Sequence, residues 1–163
     1  MKLLKLPKLQ GLALALAMLG GAATAADEAK KPAQVDGLLT VQSAHSAAES
    51  VKRIEEALKA KGLTIFTVID HQQAAKDHQL DMPAASVIVF GNPKLGTPMM
   101  QQAPTLAIDL PSKVLVWEDG KGHVFVSMNT ASYMGQRHHL PAEVTAPLAG
   151  LEKLVPAAVQ SMQ

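Results

Sequence analysis

Residues 90–100 contain the side chains whose types and spacing most favour ligand binding. Asn92 and Pro93 end a buried strand in a sharp turn, and Thr97 followed by Pro98 is typical of a helix N-terminus. The free backbone N–H groups and partial positive charge of such a terminus favour an anion or a carboxylate. The candidate binding residues are Asn92, Lys94, Gly96 and Thr97. The phosphate-loop pattern G-x-x-x-x-G-K-S/T is absent, so an ordinary strand-to-helix connection is the alternative.

Histidines and methionines form a second group of candidates, because imidazole and thioether groups bind metals and imidazole also changes charge near neutral pH. The six histidines are His45, His71, His78, His123, His138 and His139. We place His138 and the adjacent Arg137 on the rim of the predicted binding cleft, where a guanidinium can hold an anion. Met99 and Met100 together with His138 are also a set of ligands suited to Cu(I). Methionine is more commonly an adaptable core residue, which is the alternative interpretation.

An acid–base centre is a third hypothesis. Asp70 directly precedes His71, and a carboxylate that orients an imidazole is the arrangement of a general base; His45 is a second candidate base. The G-x-S-x-G pattern of a nucleophile elbow is absent, and a helix N-cap explains the position of Asp70 without catalysis. We therefore assign no catalytic residue and favour a protein that does not transform its ligand.

The elements that must position these residues alternate irregularly along the chain. The pattern Ser46-Ala47-Ala48-Glu49 is a capping box that predicts a helix ending before Gly62. Residues 119–122 form a glycine-rich turn between two alternating runs, which predicts a β-hairpin. Strands are predicted at 38–44, 63–69, 86–90, 113–118 and 123–128, and further helices at 70–80, 99–102 and about 148–155. This order, without a regular βαβ repeat, favours an α+β fold with a mostly antiparallel sheet and helices on one face.

The first 25 residues have the pattern of a secretory signal peptide. Lysines precede the apolar run 12–19, which is followed by glycines and by the small-residue site Ala23-Thr24-Ala25. We predict cleavage between Ala25 and Ala26 and export to the periplasm or the exterior, with no membrane anchor left after cleavage. The expected organisation after the signal is a flexible leader (26–36), an α+β domain (37–140) and a C-terminal helical tail (141–163).

Composition excludes several classes of function. Removal of Lys2, Lys5 and Lys8 with the signal leaves 12 Lys+Arg against 14 Asp+Glu, a formal charge of −2. The mature chain therefore lacks the cationic surface that nucleic-acid binding needs. The chain has no cysteine, which excludes a thiolate nucleophile, a lipid-modified cysteine, and zinc or iron–sulfur centres held by cysteine.

Several short motifs of this chain, taken together, resemble the domain-of-unknown-function 302 family. The matching motifs are His45-Ser46, Ile69-Asp70-His71, Phe90-Gly91-Asn92-Pro93-Lys94 with Gly96-Thr97, Leu110-Pro111, Val114 to Asp119, and Tyr133 with Arg137-His138. The resemblance covers about residues 36–140. It implies an α+β fold of the TATA-binding-protein-like type, with a sheet of about five strands, two main helices and a fold compatible with a homodimer. It implies no established reaction.

The sequence predicts an exported α+β protein that binds a small molecule or an anion without catalysis, in a cleft at residues 92–97. Three alternatives stay open. The first is copper handling through Met99, Met100 and His138, and the second is a structural or dimerising module whose sheet edge pairs with a second copy. The third is a hydrolase-like enzyme with a histidine base. No cofactor is expected under the leading hypothesis.

Overall fold

The computed structural model describes residues 34–160, so the predicted signal peptide and its cleavage site at Ala25 and Ala26 lie outside the described residues. Five strands form one sheet: β1 (Leu38–Gln42), β2 (Thr64–Asp70), β3 (Ala85–Gly91), β4 (Ser112–Glu118) and β5 (Val124–Asn129). Their order across the sheet is β1-β5-β4-β3-β2, and each neighbouring pair is antiparallel. Strands β4 and β5 form the predicted hairpin.

Helices connect and follow these strands. Within residues 34–160 they are α1 (Ala47–Ala60), α2 (His71–Asp77), α3 (Pro93–Gln102), a 3-10 helix (Pro104–Ile108), α4 (Ala131–Arg137), α5 (Ala142–Ala149) and α6 (Leu151–Val159). Helix α1 begins where the capping box predicts, because the Ser46 side chain accepts a hydrogen bond from the backbone N–H of Glu49. The α+β fold with an antiparallel five-stranded sheet is confirmed, and it carries more helices than the two main ones that the resemblance implies.

The hydrophobic core forms where the helices pack on the sheet. Ile54 and Leu58 of α1 are fully buried, and α1 packs on β3 and β4. Side chains alternate between the two faces of a strand, so Ile88 and Val114, which are partners in the β3–β4 register, face the same core. Both are fully buried. Burial on this one face fixes which residues of β3 and β4 can point toward the helices.

The last two helices belong to the same core. Val155 and Val159 of α6 are buried, and the carbonyl oxygen of Val159 accepts a hydrogen bond from the backbone N–H of Ala44 at 3.0 Å. Helix α6 packs on α1 and β1. The sequence places a domain boundary at residue 140 and a helical tail after it; the helices at 142–149 and 151–159 pack into the same core as the elements before them. Their apolar residues, 148, 151 and 155, need this contact to leave water.

Gly37 allows a close approach between β1 and α4 that a side chain would prevent. It has a φ of +78°, and a Cβ atom placed on it would overlap the ring of Tyr133.

We expect Gly37→Ala to lower the free energy of unfolding by about 2–5 kcal/mol, the sum of a left-handed backbone cost and overpacking. Gly62 is the matched control, with a φ of +72° and nothing within 4 Å of the added Cβ. Gly62→Ala should cost only about 1–2 kcal/mol in urea denaturation, and equal losses in the two variants would contradict the packing argument.

Asp119 closes the turn between β4 and β5. Its Oδ1 accepts hydrogen bonds from the backbone N–H groups of Lys121 and His123, both at 2.9 Å, and its Oδ2 lies 3.0 Å from Nδ1 of His123. Desolvation raises the pKa of Asp119, but these hydrogen bonds and the charge of His123 together outweigh it. The pKa therefore lies below its ordinary value of 3.8.

This lowered pKa makes the stability of the hairpin depend on pH. A carboxyl whose pKa is lower in the folded state stabilises the fold above its ordinary value, and that contribution is lost as the pH falls through the folded-state pKa. We expect wild type to be more stable than Asp119→Asn at neutral pH, and the difference to shrink as the pH falls below 3.8. Urea denaturation of both proteins from neutral to strongly acidic pH measures it. A difference that stays constant over that range would show that the carboxylate charge is irrelevant.

Candidate functional site

An apolar pocket of about 180 Å³ opens at the end of β3, beside α3. Its apolar lining includes Phe66, Phe90, Leu95, Met99, Met100, Leu110, Leu148 and Leu151. Its polar residues are Asn92, Thr97 and Ser112. No charged residue is among the described residues that line it, so the pocket provides apolar surface with a few hydrogen-bonding groups, as small-molecule sites commonly do.

Local features of β2 and α3 leave this space open. The β2–β3 register shifts between Ile65 and Thr67, and the intervening Phe66 is 50% exposed, with its ring beside Gly91 at the pocket. On the opposite wall, Gly96 of α3 has no side chain. A Cβ atom on Gly96 would lie 3.5 Å from Cδ1 of Leu110, so any larger side chain there would project into the pocket region.

Helix α3 begins earlier than the sequence predicts. Asn92 is its N-cap, and the Asn92 Oδ1 accepts a hydrogen bond from the backbone N–H of Lys94 at 2.9 Å. Thr97 is therefore inside the helix and not at its N-terminus, which corrects the expected start at 97–99. Two sequence signals for a helix N-terminus, Asn92-Pro93 and Thr97-Pro98, lie five residues apart. The helix begins at the first signal and contains Pro98 in its interior. The N–H groups expected to hold an anion at Thr97 are thus not terminal.

The structure brings together some of the predicted binding residues and separates the others. Asn92, Gly96 and Thr97 line the pocket. Lys94 is exposed and is not among the lining residues. Arg137 and His138 are not on the rim of this pocket either, because both bind Asp109 instead. The predicted cleft is thus divided into an apolar pocket and a separate polar cluster.

The polar cluster joins the C-cap of the 3-10 helix, Asp109, to the C-cap of α4, His138. His138 Nε2 lies 2.6 Å from Asp109 Oδ2, and His138 Nδ1 lies 2.9 Å from Thr105 Oγ1. Arg137 Nη1 donates to Asp109 Oδ1 at 3.2 Å. The side chains of His138 and Asp109 are only 4% and 9% exposed, whereas that of Arg137 is 44% exposed. We call Thr105, Asp109, Arg137 and His138 the His138 cluster.

Sequence reasoning missed two members of the His138 cluster, Thr105 and Asp109. They lie 33 and 29 residues from His138 along the chain, so no local spacing connects them. The sequence offers one local signal for Asp109. It directly precedes the apolar pair Leu110-Pro111, and an acidic side chain that is buried beside apolar residues needs a partner.

The predicted copper ligands are divided between the apolar pocket and the His138 cluster. Met99 and Met100 line the apolar pocket, whereas both ring nitrogens of His138 already contact Thr105 and Asp109. Within residues 34–160 no group of three or more His, Asp and Glu side chains lies close enough to hold a metal ion. Copper binding through Met99, Met100 and His138 stays a prediction.

The two histidines considered as bases have other environments. The Asp70 side chain accepts a hydrogen bond from the backbone N–H of Gln73 at 2.9 Å, so it caps α2 as expected and does not orient the exposed His71. The Nε2 atom of His45 is buried without a hydrogen-bond partner. Neither residue lines the apolar pocket.

These observations define the chain as an α+β protein with a five-stranded antiparallel sheet and a small apolar pocket at one end of it. It belongs to the family described as "Domain of unknown function DUF302", whose model matches residues 39–158. The family resemblance noted in the sequence is thereby confirmed, and the match extends beyond residue 140 into α6. None of the helices in the described part of the chain is long and apolar enough to cross a membrane.

Solved structures include a similar fold. The crystal structure of an uncharacterized conserved protein DUF302 from Bacillus stearothermophilus superposes with a TM-score of 0.65 at 18% identity. The match covers 77% of this chain and 97% of that one. At this identity the likeness establishes the fold alone.

The chain is similar to curated relatives over only part of the length of those proteins. The chain is 43% identical over 104 residues to "Fluoride-specific ion channel FluC 1" of Brucella suis biovar 1, a match that covers 64% of this chain and 41% of that protein. It is equally similar to "Fluoride-specific ion channel FluC 1" of Brucella abortus biovar 1, of which 38% is covered. The chain thus spans about two-fifths of the length of these relatives.

Proposed function

We propose that this protein binds a small apolar molecule in the pocket beside α3, without transforming it. The observation that supports this most directly is the lining, which is apolar on all sides except at three uncharged polar residues. Apolar cavities of about 150 Å³ hold a benzene molecule. A pocket of about 180 Å³ therefore suits one small aromatic ring system or a short alkyl chain.

The polar residues give the proposed ligand an orientation. The Oδ1 of Asn92 already accepts the N–H of Lys94 as a helix cap. Asn92, Thr97 and Ser112 are the polar residues of the lining, and their side chains carry an amide nitrogen and two hydroxyl groups that can bind a ligand. A ligand with one hydrogen-bonding group on an otherwise apolar body fits this arrangement. Indole meets that description and serves as the probe.

Isothermal titration calorimetry with indole tests the proposal. We expect saturable binding with one site, a dissociation constant on the order of 0.1 mM and a negative heat-capacity change, because apolar surface leaves water. Imidazole, a smaller and more polar ring, is the matched control ligand and should produce no saturable heat. The absence of saturation by indole, or equal binding of imidazole, would refute an apolar site.

A fluoride-related function is the alternative that the names of the Brucella relatives suggest. Those names belong to proteins of which this chain spans about two-fifths. The pocket lining in this chain contains no Lys or Arg, so it favours an apolar ligand over a small anion. Adding sodium fluoride to the indole titration separates the two hypotheses: competition by fluoride would favour the anion, and an unchanged isotherm would favour the apolar ligand.

We also propose that the protein acts after export, on the basis of the signal-peptide pattern in residues 1–25. Cell fractionation followed by N-terminal sequencing tests this part separately, with Ala26 expected as the first residue of the mature chain. Pairing of two copies through a sheet edge stays a prediction, which the mass of the mature protein in solution would test.

A further inference from the structure

The His138 cluster has the order of groups that activates a hydroxyl nucleophile. As a carboxylate, Asp109 only accepts hydrogen bonds, so the 2.6 Å contact requires the proton on Nε2 of His138. In the neutral ring, Nδ1 is then an acceptor, and the Thr105 hydroxyl 2.9 Å away is its donor. A hydroxyl bonded to an imidazole that a carboxylate orients is the arrangement of nucleophile, base and orienting group.

The exposure of each side chain indicates its role in the His138 cluster. The His138 and Asp109 side chains are almost completely buried, whereas Thr105 is exposed at the start of the 3-10 helix. Arg137 holds the second oxygen of Asp109, which fixes the plane of the carboxylate toward His138. An external molecule can therefore meet the hydroxyl of Thr105, while the base behind it is reached only from the side of Thr105.

We propose that Thr105 is a nucleophile toward activated acyl groups such as esters, with His138 as its general base and with Asp109 and Arg137 as positioning residues. Thr105 Oγ1 would form a bond to the ester carbonyl carbon as its proton passes to His138 Nδ1. The ester C–O bond then breaks, and the departing alkoxide takes that proton. Water would then bond to the acyl carbon as its proton passes to the same nitrogen, and the bond between the acyl carbon and Thr105 Oγ1 would break. The proton returns to Oγ1, which restores the hydroxyl and releases the carboxylic acid. Thr105, Arg137 and His138 do not line the apolar pocket, so this site is independent of the ligand-binding proposal.

Phenylmethylsulfonyl fluoride is the probe that tests this inference, because its sulfonyl adduct on a hydroxyl resists water. In this reaction Thr105 Oγ1 bonds to sulfur, the S–F bond breaks, fluoride leaves and His138 takes the proton. Peptide mapping by mass spectrometry then measures the labelling rate of each threonine in the same sample. Thr64, which is also exposed, is the internal control. We expect Thr105 to be labelled about 100-fold faster than Thr64, in the range that general-base assistance supplies.

Variants test the roles of the other residues. Thr105→Ser should keep the fast labelling, whereas His138→Gln and Asp109→Asn should lower it by about 100-fold without changing the rate at Thr64. A purely structural His138 cluster would leave the Thr105 and Thr64 rates alike in wild type, and that result overturns the proposal even if a variant fails to fold. Fast labelling of Thr105 that survives in a folded His138→Gln protein would overturn the assignment of the base.

Discussion

Asp109→Ala should lower the free energy of unfolding by about 3 kcal/mol, because it removes one partner from a buried, hydrogen-bonded pair. The Asp109 carboxylate is 9% exposed and lies 2.6 Å from a histidine ring that is 4% exposed. Without it, the Nε2–H of His138 loses its acceptor in a place that water does not reach. The 3-10 helix and α4 would also lose the side-chain contact that joins their C-termini.

The matched control is Arg137→Ala, which removes the other hydrogen-bonded partner of the same carboxylate. The Arg137 side chain is 44% exposed, so its pair with Asp109 is largely screened and should contribute no more than about 1 kcal/mol. Urea denaturation of both variants and wild type, followed by circular dichroism, gives the comparison. Similar losses for the two variants would mean that the buried His138 contact is not what stabilises the cluster.

Gly96→Leu should weaken indole binding by at least about 100-fold, because the new side chain occupies the space that the ligand needs. The Cβ position of residue 96 is 3.5 Å from Leu110 and 3.9 Å from the Cε of Met100, so the longer side chain has to extend along the lining. A hundredfold loss corresponds to about 2.7 kcal/mol, within the contribution of one buried ring.

The stability of the same variant separates blocking from unfolding. Leucine is a better helix former than glycine by about 0.8 kcal/mol, so Gly96→Leu should melt no lower than wild type if its side chain fills the pocket. Lys94→Leu is the matched control, since it adds a leucine to α3 at an exposed position outside the lining and should bind indole normally. Unchanged indole binding by a folded Gly96→Leu protein would contradict the location of the site.

Local patterns in the sequence were sufficient to predict most of the strands and the first helix. The capping box at Ser46 and the glycine-rich turn at 119–122 are complete within a few residues, so α1 and the β4–β5 hairpin could be predicted from them. The start of α3 could not, because Asn92-Pro93 and Thr97-Pro98 are both helix-start signals and nothing local to either one shows which of them begins the helix.

The separation of the predicted binding residues into the apolar pocket and the His138 cluster depends on tertiary contacts, which the spacing of residues along the sequence does not reveal. Asn92, Gly96 and Thr97 were identified because one turn places them together. Arg137 and His138 are assigned to a different cluster by Asp109, which is far from them in sequence. Part of the apolar lining comes from Leu148 and Leu151, in helices that the sequence placed outside the α+β domain.

The central claim is that a small apolar ligand binds beside α3, and the methionine methyl groups test it most directly. Met99 and Met100 line the pocket, whereas Met128 is in the core outside this lining and Met82 is 37% exposed elsewhere. In a protein labelled with ¹³C at the methionine methyl groups, indole should shift the Met99 and Met100 signals and give nuclear Overhauser contacts to both. The Met82 and Met128 signals should stay in place. Shifts confined to Met82, or no shift at a saturating concentration of indole, would contradict the account.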